Sequence, residues 1–281
     1  MPGLNRERHG QRTRDTLDAA NTATNERTTR LTASVENVDA ARARPLQPVL
    51  VRQPGATAVR AVALVLHGGR EVSVAPVTAH QLAVLRMVPI ARHLASAGEA
   101  DGLGVWRLRF RYRGWNSDAH PVADVRWAVQ QLREQHGDVP IVLVGHSMGG
   151  RAALWAADEP GVVGLVGLAP WVTPNEPYKQ VVGRRLLVVH GTRDRTTSAK
   201  NSKALVDAVR DASSPDEPSA DATFVHLRGG GHAMLRRAGT WNDLTADFVL
   251  GVSVPARVDA RSGNRSRSRP RSRRGRTSTS G

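Results

Sequence analysis

Four short stretches set reactive side chains directly behind apolar runs. They are His67-Gly68-Gly69 after residues 61–66, Gly145-His146-Ser147-Met148-Gly149 after residues 141–144, Asp194 after residues 185–190, and His232 after residues 222–227. A serine, an aspartate and a histidine are the components of nucleophilic catalysis. A serine hydroxyl is a weak nucleophile at neutral pH and needs a base to take its proton. An imidazole, titrating near pH ~6.5 when unperturbed, can both accept and return that proton. A carboxylate can hold the imidazole's tautomer and stabilise its cation.

The serine stretch is the most specific of the four. Ile141-Val142-Leu143-Val144 predicts a fully buried strand, Gly145-His146-Ser147-Met148-Gly149 fits the Gly-x-Ser-x-Gly pattern, and Arg151-Ala152-Ala153-Leu154-Trp155-Ala156-Ala157 predicts a helix. Strand, sharp turn and helix are the context in which this pattern presents a serine hydroxyl clear of a sheet. Gly145 and Gly149, lacking Cβ, leave room for backbones to meet there.

The elements that must position these residues follow from periodicity. Strands are predicted at 49–52, 61–66, 104–110, 141–144, 162–168, 185–190 and 222–227. Helices are predicted at 80–97, with Pro89 as a kink and Gly98 as its cap, and at 122–135, 151–157, 198–211 and 241–250. Strands apolar on both faces, alternating with helices, predict an α/β fold whose mostly parallel sheet is flanked by helices on each side. In such a sheet ligands bind at the carboxyl ends of the strands, where all four stretches lie. Residues 45–252 form the expected domain. Residues 1–44 and the Arg/Ser-rich segment 253–281 lack any apolar stripe and are expected to be disordered.

Composition narrows the chemistry. The 281 residues include no cysteine, which excludes disulfides, cysteine-ligated metals and a cysteine nucleophile, and suits a reducing, cytoplasmic compartment. No run approaches the ~18 apolar residues of a spanning helix, so no membrane association is expected. Gly229-Gly230-Gly231 lacks the spacing of a phosphate loop, no Gly-x-Gly-x-x-Gly follows the first strand, and no ligand pattern for a metal occurs. The expectation is an enzyme without cofactor or metal. The net charge of +15 comes largely from the tail, where nine arginines face one aspartate beyond residue 256. Any nucleic-acid binding through residues 257–276 would be unspecific, because that tail has no aromatic residue for stacking.

Residues 61–250 resemble an α/β-hydrolase-fold serine hydrolase of the compact esterase or serine-peptidase type. The stretches that carry the resemblance are Leu66-His67-Gly68-Gly69, Arg109-Phe110-Arg111-Tyr112-Arg113-Gly114, Gly145–Gly150, His190-Gly191-Thr192-Arg193-Asp194 and Gly231-His232, in the family's order. The resemblance implies Ser147 as nucleophile, His232 as base and Asp194 as the acid orienting it, with Asp118 and Asp247 as weaker rivals for the acid. It implies an oxyanion hole from the N–H of Met148 and that of Gly69 or Arg70. His67 is expected to shape its loop, His146 to point away from the serine, and His190 to support the acid loop.

The connection from Trp171 to Arg185 is too short for a large helical lid, which implies an open cleft. Trp115 and Trp171 are the candidate pocket residues. The reaction this implies is hydrolysis of an ester, thioester or small amide through an acyl-enzyme, a carboxylic ester first among them, with a small acyl compound as partner. Acyl transfer or perhydrolysis on the same residues, and a silent binding protein of the same fold, are the alternatives.

Overall fold

The computed structural model describes residues 46–253. The chain divides after Gln47, and the fold lies in the unit that begins at Pro48. The expected disordered segments, apart from Ser253, lie outside the described residues.

Among the described residues seven strands are formed: β1 (Val49–Arg52), β2 (Ala61–Leu66), β3 (Leu103–Arg109), β4 (Ile141–His146), β5 (Val162–Leu168), β6 (Arg185–Gly191) and β7 (Thr223–Leu227). Their order in the sheet is β1-β3-β2-β4-β5-β6-β7. Only β1 runs antiparallel, against β3; the other pairings are parallel. Among the described residues five helices cover the sheet: α1 (Leu82–Gly98), α2 (His120–His136), α3 (Met148–Trp155), α4 (Ala199–Asp211) and α5 (Ala238–Ser253).

The period-2 pattern of each strand divides the core between two faces. From β2, Val62, Leu64 and Leu66 pack with Val125 and Leu132 of α2, Ala152 and Leu154 of α3, and Leu205 and Val209 of α4. Ala61, Ala63 and Val65 pack on the opposite side with Met87, Ile90 and Leu94 of α1 and Trp241 and Val249 of α5. Both faces are dry, which is why the strands read as unbroken apolar runs. Each such leucine or valine contributes about 1.5–3 kcal/mol on burial.

This order has a direct consequence for the site. From β2 the chain moves to β3 on one side, whereas from β4 it moves the other way to β5, β6 and β7. The reversal falls between β2 and β4, so the loops leaving their carboxyl ends diverge and open a crevice. Gly68 and Ser147 are the residues that face each other across it: a Cβ on Gly68 would sit 3.3 Å from the Cβ of Ser147.

The departures from expectation are at element ends and in loops. The last helix runs through Ser253, whose buried hydroxyl donates to the Val249 carbonyl at 2.6 Å, so this residue ends α5 instead of starting the tail. The polar stretch 213–221 contains a short 3-10 turn, Pro218–Asp221, pinned because Gly183 N–H donates to the buried hydroxyl of Ser219 at 2.8 Å. The connection 171–185 holds only another such turn, Lys179–Val181, and carries no helical lid.

Candidate active site

The strand β4 ends in a backbone that few residues adopt. Ser147 has φ 52° and ψ −118°, a conformation costing of order 1–3 kcal/mol unless its surroundings impose it. Three backbone hydrogen bonds do so: Ser147 N–H to Leu168 O at 3.1 Å, Arg151 N–H to Ser147 O at 3.2 Å, and Trp171 N–H to Ser147 O at 3.0 Å. The flanking glycines explain themselves in space. A Cβ on Gly145 would clash with the backbone of Gly149, and one on Gly149 would strike the carbonyls of Leu66 and His67. Gly149 is thus what lets α3 start directly against the end of β2.

The His67 loop is built around a neutral imidazole. His67 Nδ1–H donates to Gly68 O at 2.6 Å, and Nε2 accepts from the Phe110 N–H at 3.2 Å, an arrangement open only to the uncharged tautomer. Burial, aided by the charge of Arg109, lowers its pKa to about 4. The ring also meets Phe110 edge-on at 4.7 Å. His67 therefore shapes its loop, as expected.

The same loop decides between the two oxyanion candidates. Arg70 N–H is spent on Arg113 O at 2.8 Å, because residues 70–77 zip against 111–116. The N–H groups of Met148 and Gly69 make no hydrogen bond among the described residues. Of the three expected donors, Arg70 N–H is thus already engaged, whereas those of Met148 and Gly69 are not.

Asp194 and His232 are brought together from loops 38 positions apart: His232 Nδ1–H donates to Asp194 Oδ2 at 2.9 Å. Asp194 is fully buried as a side chain and His232 is 19% exposed. Burial works to raise the Asp194 pKa, but hydrogen bonds from His190, His232, and the backbone of Thr196 and Thr197 outweigh it and hold the carboxyl well below the usual carboxylate range. The bonds are His190 Nε2 to Oδ2 at 3.3 Å, and Thr196 N–H and Thr197 N–H to Oδ1 at 2.8 and 3.1 Å, with the Thr197 hydroxyl adding a donation to Oδ2 at 3.0 Å. Ionised Asp194 fixes the His232 tautomer and leaves Nε2 as the basic nitrogen. Among the described residues no hydrogen bond joins that nitrogen to Ser147 Oγ; in unliganded sites this contact is commonly long and tightens with substrate. The rivals lie elsewhere: Asp118 is 74% exposed beside His120, and Asp247 belongs to α5.

His146 makes a contact that the sequence did not predict: its ring lies 4.8 Å from that of His232 and its Nε2–H donates to the His232 carbonyl at 2.8 Å. Burial, with the charge of His232 adding to it, lowers its pKa to about 3. Sequence reasoning also missed Thr197, Arg151 and Glu176. Thr197 has a local signal, three positions after Asp194. The other pair has none.

Arg151, one turn beyond the nucleophile, carries its guanidinium 4.5 Å from the Trp115 ring centre, 4.6 Å from Trp171 and 5.6 Å from Trp155. It pairs with Glu176 at 2.7 Å, whose carboxylate is 1% exposed and also accepts from Trp155 Nε1 and from the N–H and hydroxyl of Thr173. Although burial of Glu176 opposes it, these donors keep its pKa below the ordinary value. The cluster ties the 171–177 segment to α3. Trp115 is consumed by it, buried edge-on against Trp155 and Trp171, which leaves it little face for a substrate; Trp171 is only partly buried.

The family model described as serine aminopeptidase, S33, matches residues 110–185, a segment holding the Ser147 turn but neither Asp194 nor His232. A search of the curated proteins found no match. Among solved structures, the chain is similar to an alpha-beta serine hydrolase homologue from Coxiella burnetii (20% identity, 72% of this chain and 90% of that one, TM-score 0.52). It is also similar to an α/β serine hydrolase without lid from Xanthomonas campestris (18% identity, 75% and 97%, TM-score 0.51). A third similar structure is a monoacylglycerol lipase from Paleococcus ferrophilus (14% identity, 72% and 99%, TM-score 0.52).

The chain has the α/β-hydrolase fold of the serine hydrolases. The match of residues 110–185 supports a hydrolase, and the solved neighbours show the fold.

Proposed function

We propose that the protein is a cofactor-independent serine hydrolase that cleaves a carboxylic ester, thioester or small amide through an acyl-enzyme on Ser147, His232 and Asp194. The observation that supports this most directly is the hydrogen bond from His232 Nδ1–H to a buried, ionised Asp194, on the same sheet edge as a serine held at φ 52°.

In this reading Ser147 Oγ attacks the carbonyl carbon while His232 Nε2 takes its proton, forming a tetrahedral oxyanion and an imidazolium stabilised by Asp194. The N–H groups of Met148 and Gly69 receive the oxyanion. Collapse breaks the bond to the leaving group, which takes the proton from Nε2. Water then repeats the sequence on the acyl-enzyme, releasing the acid and restoring Ser147. Trp171, fixed beside Ser147 through its own N–H, would form one wall of the acyl pocket, and the lid-free connection suits an exposed substrate. The cysteine-free composition accords with a reducing compartment, and the cytoplasm is the one we assign.

A fluorophosphonate should label the wild-type chain at Ser147 and leave Ser147→Ala unlabelled. A wild-type chain that is not labelled would sink the enzyme reading in favour of a silent binding fold. A panel of p-nitrophenyl esters of rising chain length, run beside aminopeptidase substrates, then assigns the bond cleaved.

A further inference from the structure

The loops that carry Asp194 and His232 also build a second concavity, of about 400 Å³, lined by Thr192, Arg193, Arg228, Gly229, Arg236 and Arg237. No carboxylate lines it. None of its four guanidinium groups makes a salt bridge or a side-chain hydrogen bond among the described residues. Other cavities mix their charges: one along α2 sets Glu134 and Glu159 beside Arg126 and Arg133, and one near β1 sets Glu99 beside Arg92.

The backbone that presents these arginines is tied down. Gly229 N–H donates to the Thr192 hydroxyl at 2.9 Å, and Arg193 N–H donates to Gly230 O at 2.8 Å, which joins the acid loop to the base loop. The carbonyls of Arg236 and Arg237 are held by the indole and backbone N–H of Trp241, each at 3.2 Å; Trp241 itself is fully buried. Gly229, at φ +76°, is a position where a side chain would be strained, and the bare backbone there leaves the neighbouring Arg237 guanidinium 3.7 Å from where a Cβ would stand.

Four like charges around one hollow repel one another, and a bound anion of matching charge relieves that repulsion. Guanidinium forks match phosphoryl oxygens two at a time, and a single carboxylate would satisfy only one fork. No aromatic ring lines the hollow, so it offers nothing on which a nucleic-acid base could stack.

We propose that this four-arginine concavity is a binding site for a small polyphosphate, a ligand with at least two adjacent phosphoryl groups. The phosphoryl groups have two possible sources: the phosphorylated end of the substrate itself, or a separate polyphosphate that binds beside the catalytic loops. The site does not depend on the hydrolase reading, because its charge and shape stand whether or not Ser147 is acylated.

Calorimetric titration of the full chain with inorganic tripolyphosphate tests it. One-to-one binding is expected, weakened at least tenfold in Arg228→Ala/Arg237→Ala, partly retained in Arg228→Lys/Arg237→Lys, and unchanged in Arg60→Ala/Arg92→Ala. The altered side chains are exposed, so the melting temperature without ligand should not move, which separates loss of binding from loss of fold. Absence of saturable one-to-one binding, or equal weakening in the two alanine pairs, would overturn the proposal and leave only diffuse attraction to the basic tail.

Kinetics then separates the sources. A substrate-borne phosphate predicts that Arg228→Ala/Arg237→Ala raises KM for a coenzyme A thioester and not for p-nitrophenyl acetate. A separate ligand predicts no change in either KM, with tripolyphosphate binding retained in Ser147→Ala.

Discussion

His146 donates a hydrogen bond through Nε2 to the backbone carbonyl of His232 at 2.8 Å, so the residue just before the nucleophile holds the loop of the proposed base. Its other ring nitrogen, Nδ1, is buried with no hydrogen-bond partner among the described residues. Exchange for a phenyl ring removes one satisfied polar atom and one unsatisfied one together, and these effects on stability oppose each other. His146→Phe is therefore expected to fold with near-normal stability yet lose roughly tenfold or more in kcat as the His232 loop loosens, since ~1.4 kcal/mol of lost positioning is tenfold in rate. Paired urea denaturation and ester-hydrolysis assays on this variant check it; unchanged kcat would mean the contact positions nothing.

Asp194 accepts from two imidazoles, a hydroxyl and two backbone N–H groups. An amide in its place turns part of that acceptor surface into a donor facing donors. Asp194→Asn should lower kcat by about three to four orders of magnitude through the wrong His232 tautomer, with a smaller effect on KM. Steady-state kinetics on a p-nitrophenyl ester measures both.

Glu176 and Arg151 form an ion pair in which the carboxylate is 1% and the guanidinium side chain 12% exposed. Removing one member leaves the other as a buried, unpaired charge, at a cost of about 3–5 kcal/mol. Glu176→Ala should lose stability on that scale in urea denaturation, while Glu176→Gln, which keeps the side-chain volume and one amide oxygen to accept from either Trp155 or Thr173, should lose less. Tryptophan emission should shift to the red in the alanine variant as water reaches the Trp115, Trp155 and Trp171 cluster.

Buried neutral histidines make the fold acid-sensitive. In the unfolded chain a histidine protonates as pH falls through 6.5, whereas folded His67 stays neutral to about 4 and His146 to about 3. Between these values the unfolded state binds more protons, so stability must fall as pH drops from 6.5. The contribution of His67 reaches about 3 kcal/mol by pH 4. Asp194 extends the decline: its folded pKa lies below the ordinary 3.8, so the stability it contributes is present above that pH and is lost as pH falls further. Urea midpoints measured from pH 7 to 4 should fall steadily, and less steeply in His67→Asn; a flat profile would contradict the buried neutral state.

Much of the fold and of the candidate site can be read from local pattern. Strands buried on both faces must be apolar throughout, so β2, β4 and β6 were visible as unbroken runs, and the glycines around Ser147 marked a close approach of backbones. The order of reactive residues behind those runs depends only on chain sequence and strand direction. What the chain could not disclose by itself is which side chains meet across loops. Arg70 and Gly69 are adjacent residues with equal claim as donors until the pairing of residues 70–77 with 111–116 consumes one N–H. Trp115 and Trp171 look alike until Arg151 and Glu176, 25 positions apart, draw Trp115 into the core. His146 belongs to the elbow by sequence and to the His232 loop by contact. Local sequence sets backbone periodicity, because sterics and burial act residue by residue. The spending of each hydrogen bond and the charges gathered around one hollow are properties of distant segments packed together, and these only the tertiary structure decides.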